Sequence, residues 1–116
     1  MQHQEFYDSI KVHGQEITEA AHSVFPELPI WVGETAAAWH SGRDNVTNAF
    51  ESSMWAVIQL GQYAGIIPHA AQCRQTLVGG NYEIINKTTI TPNPDYYLYK
   101  MWKKILGSKS LVTGAA

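Results

Sequence analysis

Pro29-Ile30-Trp31-Val32-Gly33-Glu34-Thr35 is a short apolar run of β-forming residues that ends on a carboxylate. Its length and composition suit a buried strand. Upstream, residues 5–25 set Phe6, Ile10, Ile17, Ala20, Ala21 and Val24 at three- and four-residue spacings, the pattern of an amphipathic helix. Gly14 weakens that helix by about 1 kcal/mol relative to alanine, and Pro26 and Pro29 stop it. Downstream, the polar loop His40-Ser41-Gly42-Arg43-Asp44-Asn45 leads into a second helix, Val46 to Tyr63, which Gly61, Gly65 and Pro68 bring to an end. Cys73 to Val78 reads as a second strand, stopped by Gly79-Gly80, and residues 81–94 form a loop or a small hairpin-like excursion rich in Asn, Thr and Pro. Asp95 is expected to cap a last helix carrying Leu98, Met101, Trp102, Ile105 and Leu106 at the helical period. Gly107 closes it, and Ser108 to Val112 has the look of a further strand beginning.

Helices alternating with short apolar strands point to an α/β fold with a parallel sheet. A chain of 116 residues has room for one small domain. Two parallel strands cannot cover both faces of a sheet, however, and a complete (β/α)₈ barrel needs about 250 residues. The chain is therefore expected to be a piece of a larger α/β fold.

Composition removes several functions. Eight Lys+Arg against ten Asp+Glu leave a net charge of −2, with no basic stripe for nucleic acid. No apolar run approaches the ~20 residues that span a bilayer, and Met1-Gln2-His3-Gln4-Glu5 has no basic or apolar region of a secretory signal. The single Cys73 excludes an internal disulfide and is expected to be a small buried residue. His3, His13, His22, His40 and His69 do not cluster, and the four-residue spacing of His69 and Cys73 lacks a second pair, so neither metal nor cofactor is expected. The sequence holds no Gly-x-Ser-x-Gly elbow, phosphate loop or dinucleotide fingerprint.

Glu34 is the candidate that physical chemistry singles out. It sits at the C-terminal end of an apolar strand, where barrels and open sheets place reacting groups. Beside Trp31, Val32 and Ala36-Ala37-Ala38 it is expected to be partly desolvated; the plainer reading is a strand-end residue that caps the next loop. Tyr82 follows Gly79-Gly80-Asn81, which suits either an ordinary turn or close approach to a ligand. Tyr96, Tyr97, Tyr99 and Trp102 are at helical spacing and read as core. Asn45-Val46-Thr47 and Asn86-Lys87-Thr88 are glycosylation sequons in expected loops.

Three segments together resemble one family. Residues 31–42, Trp-Val-Gly-Glu-Thr-Ala-Ala-Ala-Trp-His-Ser-Gly, resemble the nucleophile segment of the heparanase-like glycosidases, glycoside hydrolase family 79. Residues 73–82, Cys-Arg-Gln-Thr-Leu-Val-Gly-Gly-Asn-Tyr, resemble the family's eighth-strand segment. Pro92-Asn93-Pro94-Asp95-Tyr96-Tyr97, with Trp102 and Leu106-Gly107, is similar to its last barrel helix. The similarity runs over roughly residues 29–112 and is closest to the plant heparanase-like branch, of baicalin β-glucuronidase type.

The resemblance implies the C-terminal portion of a (β/α)₈ TIM barrel over residues 1–107, with two strands and three helices, running into the start of a β-sandwich at 108–116. It further implies a retaining glycosidase of β-glucuronides, with Glu34 as nucleophile. Gln75, Gly80 and Tyr82 would line the glucuronate pocket, and Trp39, His40 and Ser41 would lie where the loop after the nucleophile meets the uronate carboxylate. The implied partner is a glucuronic-acid-containing glycoside or polysaccharide, and the implied setting of the parent enzyme is the secretory pathway, cell wall or vacuole. His40-Ser41 stands where the mammalian enzymes have glycines after the aromatic residue, which favours an aryl glucuronide or a cell-wall glucuronoside over a long polysaccharide. The Asn-Glu-Pro segment that carries the family's acid/base is missing, so the chain alone is expected to be inactive, its N-terminal barrel half being needed. The rival reading is a non-catalytic domain that binds acidic sugars or pairs with another chain.

Overall fold

The structure, a computed structural model, describes residues 4–66 and 69–107. Helix α1 (Gln4–Val24) leads to strand β1 (Ile30–Thr35), helix α2 (Phe50–Ile66), strand β2 (His69–Arg74) and helix α3 (Pro94–Ile105). This is the helix–strand alternation expected of an α/β fold. β1 and β2 pair in parallel, joined through α2, which packs against both α1 and α3.

The bounds of α2 and β2 differ from the sequence reading. α2 begins at Phe50 rather than Val46, because residues 46–49 are a turn closed by Val46, Thr47 and Ala49 hydrogen bonds to Arg43 and Val46 carbonyls. It also continues through Gly61 and Gly65. β2 is displaced four residues toward the N-terminus of the expected Cys73–Val78 strand. Thr76 and Leu77 are taken up elsewhere: their carbonyls accept from the Ile84 and Ile85 N–H groups, at 2.9 Å each. Leu77 and Val78 lie largely exposed in the resulting excursion. The expected strand at Ser108–Val112, with its entry into a β-sandwich, lies outside the described residues.

The register carries an irregularity beside Glu34. Val32 pairs with Gln72 and Thr35 with Arg74, three steps on β1 against two on β2. One extra residue is thus accommodated at Gly33-Glu34, a bulge of the kind that re-aims side chains next to active sites. Beyond it, Thr35 is buried and its hydroxyl donates to Gln59 Oε1 of α2 at 2.9 Å. Gln72 Nε2 donates to the same oxygen at 2.7 Å, so one α2 side chain ties both strands.

Among the described residues the buried apolar side chains are Trp55, Ala56 and Tyr82. Trp31 (68% exposed), Phe50 (70%) and Ile105 (69%) lie open to solvent. Side chains alternate across a strand, and while Gln72 and Arg74 turn toward the helices, Cys73 falls on the uncovered face and is exposed, not buried as expected. Tyr97 of the aromatic group read as core is likewise 60% exposed. A two-stranded sheet with an uncovered face leaves apolar area and edges that a stable fold covers.

Candidate active site

At the C-terminal ends of β1 and β2 a cleft of about 510 Å³ opens. Glu34, Trp39, His40, Gln75 and Tyr82, all singled out in the sequence, line it together with Thr35, Ala36 and Ala38. Ser41 and Gly80 are not among the lining residues. They lie against each other: the Cβ position of Gly80 is 3.1 Å from the Ser41 carbonyl oxygen, which accepts from the Asn81 N–H at 2.6 Å.

Glu34 is exposed rather than partly desolvated. Its apolar neighbours form no wall over it, since Trp31 is open to solvent and Ala36–Ala38 are only half-buried. Its backbone is nevertheless held on both sides. The bulge precedes Thr35, and the Thr35 carbonyl accepts from the Gln75 N–H at 2.9 Å, which continues the strand pairing into the cleft.

The loop after β1 follows a left-handed path, with His40, Ser41 and Gly42 at φ of 51°, 67° and 73°. At Gly42 no side chain fits: a Cβ would collide with Thr47 Oγ1 and stand 2.9 Å from the Tyr82 ring. Gly80 (φ 76°) faces the same ring, its absent Cβ 3.0 Å away. The Tyr82 ring is therefore bounded by two glycines. Thr47 joins the loops: its hydroxyl accepts from the Arg43 N–H at 2.8 Å and lies 2.8 Å from the Asn81 carbonyl oxygen.

Residues 75–93 are held by a buried carboxylate. Glu83 accepts from the Gly79 and Lys87 N–H groups, and its carbonyl takes the Asn93 side-chain amide at 2.7 Å. Asn93, not Asp95, is the N-cap residue of α3, and it makes no side-chain cap. Asp95 turns inward instead. Arg74 Nη2 donates to Asp95 Oδ2 at 2.9 Å and to the Tyr82 carbonyl oxygen at 3.0 Å, and Ser53 Oγ donates to Asp95 Oδ1 at 2.8 Å. Nearby, burial raises the Tyr99 phenol above its ordinary value of 10; the Arg74 guanidinium opposes that rise and Asp95 adds to it.

Reading the sequence missed Arg74, Ser53, Thr47, Gln59 and Glu83. Asp95 offered one signal, an acidic residue in the first turn of a helix, but its partner Arg74 is 21 positions away in the sequence. The sequon asparagines differ in setting. Asn45 is exposed at φ 58°, whereas Asn86 is half-buried and its Oδ1 accepts from the Thr88 and Thr89 N–H groups. Among the described residues no group of three His, Cys, Asp or Glu side chains is arranged to hold a metal ion, and no helix is long and apolar enough to cross a membrane.

Comparison with known proteins gives these features a context. Residues 1–61 match the sequence pattern of "Glycosyl hydrolase family 79, N-terminal domain". The chain is 48% identical over 83 residues to heparanase-like protein 3 of Arabidopsis thaliana, covering 72% of this chain and 15% of that protein. It is 42% identical over 83 residues to the baicalin-β-D-glucuronidase of Scutellaria baicalensis (72% of this chain, 16% of that protein). To the hyaluronoglucuronidase of Hirudo nipponia it is 29% identical over 105 residues, 90% of this chain and 20% of that protein. The chain thus spans about a sixth of the length of its plant relatives. On the strength of the match over more than half its residues, the chain belongs to glycosyl hydrolase family 79.

Proposed function

We propose that this chain contributes the nucleophile and one wall of the sugar pocket to a retaining β-glucuronidase, as the C-terminal portion of a (β/α)₈ barrel. The observation that carries the reading is that Glu34, at the end of β1, opens onto the same cleft as Trp39, His40, Gln75 and Tyr82. Strand ends of this kind hold the reacting groups of barrel enzymes. In the reaction, a Glu34 carboxylate oxygen attacks the anomeric carbon and forms a glycosyl ester. The bond from that carbon to the leaving oxygen breaks, and that oxygen takes a proton from a second carboxyl group about 5–5.5 Å from the first. Water then cleaves the ester, assisted by the second carboxylate. That second group belongs to a part of the barrel outside this chain, which has no Asn-Glu-Pro segment.

The names of the relatives support a glucuronide as substrate: one is a baicalin-β-D-glucuronidase and another a hyaluronoglucuronidase. His40 lies beside Trp39 in the cleft lining, and its bulk beside an anionic substrate supports an aryl glucuronide over a long polysaccharide. Passage through the secretory pathway, with glycans at Asn45 and Asn86, belongs to the same proposal. The test is a chimera in which the matching segment of the baicalin-β-D-glucuronidase is replaced by this chain. It should hydrolyse an aryl β-glucuronide, and Glu34→Gln should lower kcat by about a thousandfold or more, about 4 kcal/mol of transition-state stabilisation. A folded chimera whose turnover survives Glu34→Gln contradicts the assignment and favours a domain that only binds acidic sugar.

A further inference from the structure

We propose that Arg74 and Asp95 are a positioning pair that fixes Tyr82 in the wall of the sugar pocket; this rests on the glucuronidase reading above. Arg74 is the last residue of β2, and its side chain leaves the strand on the helix side while the next residue, Gln75, lines the cleft. Both charged side chains are deeply buried, at 8% and 5% exposure, and 2.9 Å apart. A buried ion pair is seldom more stabilising than apolar side chains of the same volume, so stability alone does not explain this one. A guanidinium does offer several donors in a rigid plane. Here one nitrogen, Nη2, serves Asp95 and the Tyr82 carbonyl oxygen together, and the guanidinium carbon lies 5.9 Å from the centroid of the Tyr82 ring. Ser53 of α2 holds the other Asp95 oxygen. The chain of contacts runs from α2 and α3 through the end of β2 to Tyr82, whose ring Gly42 and Gly80 bound at 2.9 and 3.0 Å from their Cβ positions. Tyr82 is thereby left a single seat. A displacement of about 1 Å in a group that orients substrate is enough to cost a hundredfold in rate.

The experiment is a double-mutant cycle in the chimera, read as kcat/KM on an aryl β-glucuronide. Arg74→Lys keeps the charge but loses the guanidinium plane. It should lower kcat/KM about tenfold, with far-ultraviolet circular dichroism unchanged. Because the pair acts through Tyr82, the same substitution in a Tyr82→Ala background should change kcat/KM by less than about twofold. Asp95→Asn should behave alike, and where it fails to fold, Ser53→Ala carries the cycle by removing only the hydroxyl that orients Asp95. Equal fold-losses in the two backgrounds would overturn the positioning pair while leaving Glu34 in its role, provided Glu34→Gln is inactive. Turnover that persists in Glu34→Gln overturns both.

Discussion

Gly42→Ala is the sharpest structural perturbation available beside the cleft. The backbone there has φ 73°, and the added methyl would run into Thr47 Oγ1 and approach Tyr82 Cδ1 to 2.9 Å. The left-handed conformation costs a non-glycine residue about 1–2 kcal/mol, and forcing a methyl into filled space adds about 1–3 kcal/mol. The sum is about 2–5 kcal/mol. Gly79→Ala separates the two contributions, because Gly79 also has positive φ (104°) but nothing lies within 4 Å of its Cβ position. It should cost only the backbone share. Urea unfolding of the chimera and both variants reads the difference: at a slope of about 3 kcal/mol/M, Gly42→Ala lowers the midpoint by about 0.7–1.7 M and Gly79→Ala by about 0.3–0.7 M. Gly42→Ala should also lower kcat/KM through Tyr82, and Gly79→Ala much less. Equal midpoint shifts for the two variants would refute the claim that Gly42 is glycine because Thr47 and Tyr82 occupy the space beside it.

Gly61→Ala lies within α2 with only the edge of Trp102, 3.9 Å away, near its new methyl; it should stabilise by about 0.5–1 kcal/mol in the same urea assay. Burial raises the phenols of Tyr63 and Tyr99 above 10. Their contribution to stability is complete below pH 10, where both states hold neutral phenols. It is lost as pH rises through the folded-state values, because the unfolded chain ionises first. Stability should therefore fall above about pH 10, and Tyr99→Phe should flatten part of that fall. The isolated chain of 116 residues, with Trp31, Phe50 and Ile105 open to solvent, should bind a hydrophobic dye and melt without a cooperative transition. A sharp monomeric transition would contradict the reading of these faces as contact surfaces of a larger barrel.

The element order was legible because periodicity and proline punctuation are local signals, and α1, β1 and α3 follow them closely. β2 lies elsewhere than composition suggests because Thr76-Leu77-Val78 has a strand's composition, but the Thr76 and Leu77 carbonyls accept from the Ile84 and Ile85 N–H groups, a tertiary choice that composition does not record. The cleft residues Glu34, Trp39, His40, Gln75 and Tyr82 were legible through motif resemblance, with Glu34 also marked by its place at a strand end. Their scaffold was not. Arg74, Asp95 and Ser53 are 21 to 42 positions apart in sequence, and only the packing of α2, α3 and β2 brings them together. Glu34 and Cys73 are exposed for one reason: apolar sequence neighbours imply burial only when something covers that face of the sheet.

The central claim is that the Glu34 carboxylate forms the bond to the sugar. An activated 2-deoxy-2-fluoro-β-glucuronide, whose glycosyl ester breaks down slowly, tests it directly when incubated with the active chimera and followed by peptide mass spectrometry. The account predicts one equivalent of fluoroglucuronosyl label on the peptide containing Glu34, with fragmentation that maps it to that residue. Label on another carboxylate, with Glu34 unmodified and turnover blocked, would contradict it.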